Sequence, residues 1–201
     1  TQFLFYMQWI SADVVFDGYK FHESLFLFVD DSGLLIHKQK DKPSGDIRML
    51  PGLLMPGMVN AHCHLELSDM QDMISSGTGL VNFLSDVNKL NRLNADKKKE
   101  IEEVKLEKIS AADEAMHNNG IVVVGDICNM LSTIPQKSQS DIYYHNFIEA
   151  ICINPEQVEN RFFHYSNIFY EFQQQFSASM ALHAPYTCCD ELFEEVSKRS
   201  N

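Results

Sequence analysis

From residue 53 onward, short apolar runs alternate with longer amphipathic segments, and this alternation constrains the fold more than any other feature. Residues 121–124 are a β-branched run too short for a helix, which is typical of a buried strand. The helical pattern before it stops at Asn119-Gly120, a common C-terminal signal. The predicted strands are residues 53–59, 121–124, 142–152 and 179–182, and the predicted helices are residues 80–90, 96–118, 155–176 and a last one from Asp190. Four β-then-α units in succession predict a parallel sheet with helical crossovers.

Two α/β architectures fit this pattern, a doubly wound open sheet and a (β/α)8 barrel. The doubly wound fold requires a glycine-rich turn after its first strand, and the sequence has Pro56-Gly57 and a His-x-His there instead. The barrel is therefore favoured. A complete (β/α)8 fold takes about 250 residues, so residues 53–201 are predicted to be the first four units of a barrel, that is, half of one.

Residues 1–52 form a first domain of β-structure in this interpretation. Residues 10–16 are a strand candidate, and residues 25–29 and 34–37 flank the turn-forming sequence Asp30-Asp31-Ser32-Gly33, which predicts a hairpin. The break at Pro51-Gly52 marks the predicted domain boundary.

Composition excludes several classes of function. The chain of 201 residues has 16 Lys and Arg against 28 Asp and Glu, a net charge of −12, and such an acidic surface repels nucleic acids and anionic membranes. No apolar run approaches the roughly 18 residues of a membrane span. The five cysteines are scattered and form no C-x-x-C pair, which predicts reduced thiols and a cytoplasmic location.

His62 and His64 are the candidate metal ligands. Side chains alternate along a strand, so these two imidazoles point to the same side and Cys63 points to the other. They follow the first predicted barrel strand, at the carboxyl end where barrel enzymes keep their active sites. Two converging imidazoles are half of a divalent-metal site.

The stretch Pro-Gly-Met-Val-Asn-Ala-His-Cys-His-Leu-Glu at residues 56–66 resembles the first metal-binding signature of the amidohydrolase superfamily. Residues 78–83, 119–126 and 182–188 resemble further blocks of its deaminase and chlorohydrolase branch, most closely the aminodeoxyfutalosine deaminases of menaquinone biosynthesis. Asp69 departs from that group, which has a histidine there. The resemblance implies that a segment of a small β-sandwich precedes the barrel.

The resemblance implies a role for His183, and positions near the strand ends make three carboxylates further candidates. His183 is expected to face the substrate, and the alternative is a hydrogen-bonded histidine that shapes a loop. Asp126 and Glu149, near the ends of the second and third strands, could line the substrate pocket or merely cap and pair. Glu66 could orient a ligating imidazole or simply begin the next loop.

The expected cofactor is one divalent metal ion, with zinc preferred over iron. Binuclear relatives commonly use a carboxylated lysine at the end of the fourth strand, and no lysine lies between Lys137 and Lys198. A lysine-bridged pair of ions is therefore not expected.

The predicted function is metal-dependent hydrolysis of a C–N bond, in which activated water deaminates an aminated purine-like ring of a small-molecule substrate. Another amidohydrolase reaction, on a cyclic amide or a carbon–halogen bond, remains an alternative, as does a non-catalytic binding or assembly protein. The resemblance implies further metal ligands and a general acid/base that have no counterpart in these 201 residues. An N-terminal fragment is thus expected, and a truncated inactive product is the alternative. A homodimer is one option for its assembly.

Overall fold

The computed structural model describes residues 7–95 and 98–199, which divide into two compact units between Gly57 and Met58. The strands are β1 (Gln8–Phe16), β2 (Phe21–His22), β3 (Phe26–Val29), β4 (Leu35–Gln39), β5 (Ile47–Leu54), β6 (Met58–Cys63), β7 (Ile121–Cys128), β8 (Tyr143–Ala150) and β9 (Ser177–Leu182). The α-helices are α1 (Leu80–Ala95), α2 (Lys98–Asn118), α3 (Ile134–Lys137), α4 (Val158–Gln173) and α5 (Asp190–Arg199). Short 3-10 helices span Leu65–Met70 and Pro155–Gln157.

The first unit contains one five-stranded sheet centred on β1. β5 pairs with β1 in parallel, while β2 and β3 pair with it antiparallel. β4 pairs with β3 and confirms the predicted hairpin. In its turn, the Asp30 carboxylate accepts the backbone N–H groups of Ser32 and Leu34 at 3.0 and 2.9 Å.

Pro51-Gly52 does not end the first unit, because β5 runs through it. The β1–β5 pairing shifts register between Ala12 and Val14, and Gly52 sits opposite this irregularity with φ +83°. Its N–H donates to Asp13 Oδ2 at 2.7 Å. The turn-type dipeptide thus forms a bulge inside a strand, and the division between units follows at Gly57 instead of residue 52.

The second unit contains a four-stranded sheet in the order β6-β7-β8-β9, with every pair parallel. Helical crossovers connect the strands, as the alternating pattern predicted. α2 begins at Lys98, and residues 96 and 97 lie outside the described ranges. No helix within those ranges is long and apolar enough to cross a lipid bilayer.

Two apolar clusters attach the helices to this sheet. Ile109 of α2 packs with Val124 of β7 and Leu65, and all three side chains are fully buried. The larger cluster joins Ile148 of β8 to Phe172 of α4. These contacts cover one face of the sheet with helices.

Candidate active site

His62 and His64 lie at the carboxyl end of β6 with their imidazoles converging. The two Nε2 atoms are 3.2 Å apart. A tetrahedral zinc ion with Zn–N bonds of 2.0–2.1 Å would hold two nitrogens about 3.3 Å apart. Burial lowers the pKa of His64, which favours the neutral imidazole that a metal needs. The histidine pair therefore fits half of a zinc site.

Three ligands do not come together in the described part of the chain. Among residues 7–95 and 98–199, no group of three His, Cys, Asp or Glu side chains is arranged to hold a metal ion. His62 and His64 could thus supply two of the four ligands that zinc usually takes.

Strand register separates the other predicted site residues onto two faces of the sheet. β8 pairs with β9 through Glu149 and Ala181, and His183 lies two residues beyond Ala181, on the same face. The charges of Glu149 and Asp126 raise the pKa of His64, whereas those of His62 and His183 lower it, so all four groups lie within electrostatic range of its imidazole. Strand register therefore places His62, His64, Glu149 and His183 on the same face of the sheet.

Glu149 is almost completely buried at the end of β8. Its backbone carbonyl accepts a hydrogen bond from Asn129 Nδ2 at 2.6 Å, which fixes the strand end. Within the described residues its carboxylate makes no hydrogen bond, so both oxygens remain available to a ligand on this face.

His183 follows β9 and is held in one orientation by Thr187. Thr187 Oγ1 donates its proton to the Ala184 carbonyl at 2.9 Å, so it accepts from His183 Nδ1–H at 2.8 Å. The neutral ring is then unprotonated at Nε2. The bond links His183 to its own loop, as the alternative interpretation expects, and it leaves Nε2 as an acceptor.

Asp126 lies near His64 but on the other face of the sheet. β7 pairs with β8 through Asp126 and Asn146, and with β6 through Asp126 and Cys63, so these residues share the face opposite to His62 and His64. Asp126 is fully buried, with Oδ1 accepting the N–H of Leu65 at 2.8 Å and Oδ2 accepting from Lys137 Nζ at 2.5 Å. No surface of Asp126 is open to a substrate in this structure.

Glu66 connects two segments that follow neighbouring strands. Its Oε2 accepts the backbone N–H groups of Asn129 and Met130, both at 2.9 Å, and thereby ties the start of the 3-10 helix to the loop after β7. Burial raises the pKa of this carboxyl to about 7, against the opposing effect of the two N–H groups.

Sequence reasoning missed Gly125, Lys137 and Thr187 as residues that build the site. A Cβ on Gly125 would lie 2.8 Å from the Ala61 carbonyl oxygen, and a glycine that directly follows a β-branched run is a signal for such an approach. Thr187 lay in a block already marked by the resemblance. For Lys137 the sequence offers no signal, because a lysine beside polar residues is normally exposed.

The fold of the chain is similar to that of several solved structures. No protein-family model and no curated protein matches the chain by sequence. Aminofutalosine deaminase from Helicobacter pylori, in complex with methylthio-coformycin, matches 95% of the chain and 47% of its own with a TM-score of 0.75 and 21% identity. Guanine deaminase from C. acetobutylicum, with bound guanine, matches 96% of the chain and 50% of its own, with a TM-score of 0.71 and 14% identity.

Atrazine chlorohydrolase from Arthrobacter aurescens, solved in complex with zinc, matches 96% of the chain with a TM-score of 0.74 and 16% identity. The chain covers 50% of that structure, and so spans about half the length of the solved structures it matches. These matches confirm the predicted fold class, since the chain has the fold of about half of each structure, with a β-sheet unit followed by part of a (β/α)8 barrel.

Proposed function

We propose that this chain belongs to a metal-dependent hydrolase of the amidohydrolase superfamily that deaminates a purine-like ring. The observation on which the proposal depends is the His62–His64 pair, whose Nε2 atoms lie 3.2 Å apart at the carboxyl end of the first barrel strand. Carboxyl ends of barrel strands are where the catalytic groups of this fold lie. The remaining metal ligands and the general acid/base would come from the other half of the barrel.

His62 and His64 would hold one divalent ion through Nε2, with zinc preferred because a structurally similar chlorohydrolase was solved with zinc. When bound, such an ion supplies a Lewis acid and makes water nucleophilic at neutral pH. The lowered pKa of His64 keeps its ring neutral and ready to bind. The chain's own contribution is thus a preformed pair of imidazole nitrogens.

His183 and Glu149 would bind the substrate beside that ion. His183 Nε2, unprotonated while Thr187 holds Nδ1–H, accepts a hydrogen bond from a ring N–H or hydroxyl of the substrate. The Glu149 carboxylate, which lies near His64, accepts from a second donor such as an exocyclic amine. Asp126, predicted as a third substrate contact, would not touch the substrate in this proposal. It would hold the backbone that follows His64, because it accepts the Leu65 N–H.

The proposed substrate is an aminofutalosine-type nucleoside, which would place the reaction in menaquinone biosynthesis and in the cytoplasm. Support comes from the sequence blocks around His62 and from the structural match to an aminofutalosine deaminase. Carbon–halogen hydrolysis is the second candidate, because the match to the atrazine chlorohydrolase is equally close in structure.

Ammonia release from aminodeoxyfutalosine, guanine and S-adenosylhomocysteine, with chloride release from atrazine alongside, discriminates these activities in the full-length protein. We expect ammonia from aminodeoxyfutalosine alone. Chloride from atrazine would favour the second candidate. The proposed activity would be contradicted if none of the four compounds released ammonia or chloride.

The metal site itself is tested by His62→Ala/His64→Ala, which should abolish bound zinc in elemental analysis because half of the ligands are gone. His145→Ala is the matched control. His145 is bonded through both ring nitrogens to Ser177 and Ser179, so it has no nitrogen left for a metal, and its loss should leave the zinc content intact. Equal zinc in the double variant and the wild type would refute the site.

A further inference from the structure

The backbone that follows His64 is held by a side chain from a different strand. Leu65 N–H donates to Asp126 Oδ1 at 2.8 Å, across 61 residues of sequence. Both residues are fully buried, so water cannot replace the bond. Since Leu65 comes directly after His64, the position of Asp126 Oδ1 restricts where the His64 backbone can lie.

The Asp126 carboxylate is in turn held by Lys137. Lys137 Nζ donates to Asp126 Oδ2 at 2.5 Å, to Asn146 Oδ1 at 2.7 Å and to Cys128 Sγ at 3.3 Å, which uses all three of its protons. Its ammonium group also lies 5.0 Å from the ring centres of Tyr144 and Phe172. No part of either charged side chain reaches solvent.

A buried ion pair of this kind does not add stability as such. Apolar side chains of similar volume are often as stable or more so, because two charges must be stripped of water. What the pair does is orient a carboxylate, since Oδ2 is fixed by the ammonium group and Oδ1 must then face Leu65. Asn146 extends this connection to β9 through the Ser177 carbonyl at 3.0 Å.

We propose that Asp126 and Lys137 are positioning residues, which set the metal-binding geometry of His62 and His64 through the Leu65 N–H. This proposal depends on the proposed role of the two histidines as metal ligands. Groups that orient metal ligands typically change metal affinity 10- to 100-fold when removed. Neither residue touches the substrate or the ion in this proposal.

Two double variants of the full-length protein isolate the hydrogen bond to Leu65. Asp126→Asn/Lys137→Met keeps an oxygen acceptor of the same shape, while Asp126→Leu/Lys137→Met removes it, and neither leaves a charge buried. We expect zinc titration of the metal-free proteins to give an unchanged Kd for the Asn variant. The Leu variant should bind zinc about 10- to 100-fold more weakly.

Hydrogen–deuterium exchange of the metal-free proteins provides a second readout that needs no zinc. The peptide that contains Leu65 should exchange faster in the Leu variant than in the Asn variant. Asp113→Asn is the control for general destabilisation, because Asp113 is also a buried carboxylate, with Tyr144, Ser140 and Gln136 as its donors. It should lower the melting temperature and leave the zinc Kd unchanged.

Equal zinc affinity in the two double variants, whether retained or lost in both, would overturn the positioning role. A wild type that binds zinc without deaminating any substrate would defeat the proposed activity, and the positioning role would still be decided by the two Kd values. A wild type that binds no zinc would overturn both proposals.

Discussion

At the scale of single residues, the chemistry of a histidine depends on what its second nitrogen contacts. His183 donates from Nδ1 to a threonine hydroxyl and keeps Nε2 free, whereas His145, in the same sheet, has both nitrogens bonded to serines. His62 and His64 face each other through Nε2. Of these four histidines, His145 is the one with both ring nitrogens hydrogen-bonded to hydroxyl groups, so it has no nitrogen left for another ligand.

Thr187→Val should weaken catalysis, because the isosteric valine removes the acceptor that fixes the His183 tautomer and ring orientation. We expect kcat/KM for deamination by the full-length protein to fall about 10-fold, the lower end for loss of an orienting partner. Thr187→Ser retains the hydroxyl and should stay near wild type. Equal activity of the Val and Ser variants would show that the bond to His183 has no role in the reaction.

At the scale of secondary-structure elements, the pairing of β6 with β7 decides where the two histidines lie. Its register shifts between Asn60 and Cys63, immediately around His62. Gly125 lies opposite this shift, close enough that a Cβ would be 2.8 Å from the Ala61 carbonyl oxygen and 3.1 Å from Phe147 Cε2. Because Gly125 has no side chain, the β6 backbone can lie close to β7 at the register shift.

Gly125→Ala should push β6 away from β7 and displace His62. We expect a loss of about 1–3 kcal/mol in the free energy of unfolding, as for other overpacked sites. The zinc Kd should rise about 10-fold, as when an orienting contact is lost. Thermal denaturation and zinc titration measure the two effects.

Gly52→Ala is the matched comparison in the first unit. Open space surrounds Gly52, but its φ of +83° is unfavourable for alanine, at a cost of about 1–2 kcal/mol. Zinc binding should not change in this variant. A Gly125→Ala protein that is destabilised but binds zinc normally would contradict the link between strand pairing and the metal ligands.

At the scale of the whole molecule, the four-stranded sheet of the second unit has the fold of part of a barrel. β6 and β9 end the four-stranded sheet, and each has one neighbouring strand within residues 7–95 and 98–199. Met58 and Val59 of β6 are 47% and 63% exposed. An apolar strand edge of this kind is a site for pairing with another chain.

Residues 1–201 expressed alone are therefore expected to self-associate, as measured by size-exclusion chromatography with light scattering. Val59→Lys should reduce this association, because a charged residue on an edge strand opposes pairing. Val81→Lys adds the same charge at an exposed position of α1, which is not an edge strand, and should have no effect. A monodisperse monomer of the unmodified chain would contradict this expectation.

The sequence located most elements because local periodicity decides them. The buried strand predicted at residues 121–124 is β7, although β7 continues to Cys128. Gly125 and Asp126 have low strand propensity, but pairing on both sides with β6 and β8 overrides it. Pro51-Gly52 also has low strand propensity and therefore predicts a break, but pairing of β5 with β1 keeps the dipeptide within a strand.

The sequence by itself determined the α/β alternation, the hairpin and the pair of histidines on one side of a strand end, since each depends on residues close together along the chain. Only the tertiary structure decided that Asp126 faces away from those histidines and that Lys137 is buried beside it. The bond from Asp126 to Leu65 spans 61 residues. Strand order and packing determine which residues so far apart in the sequence come into contact. No local pattern of residue types predicts such contacts.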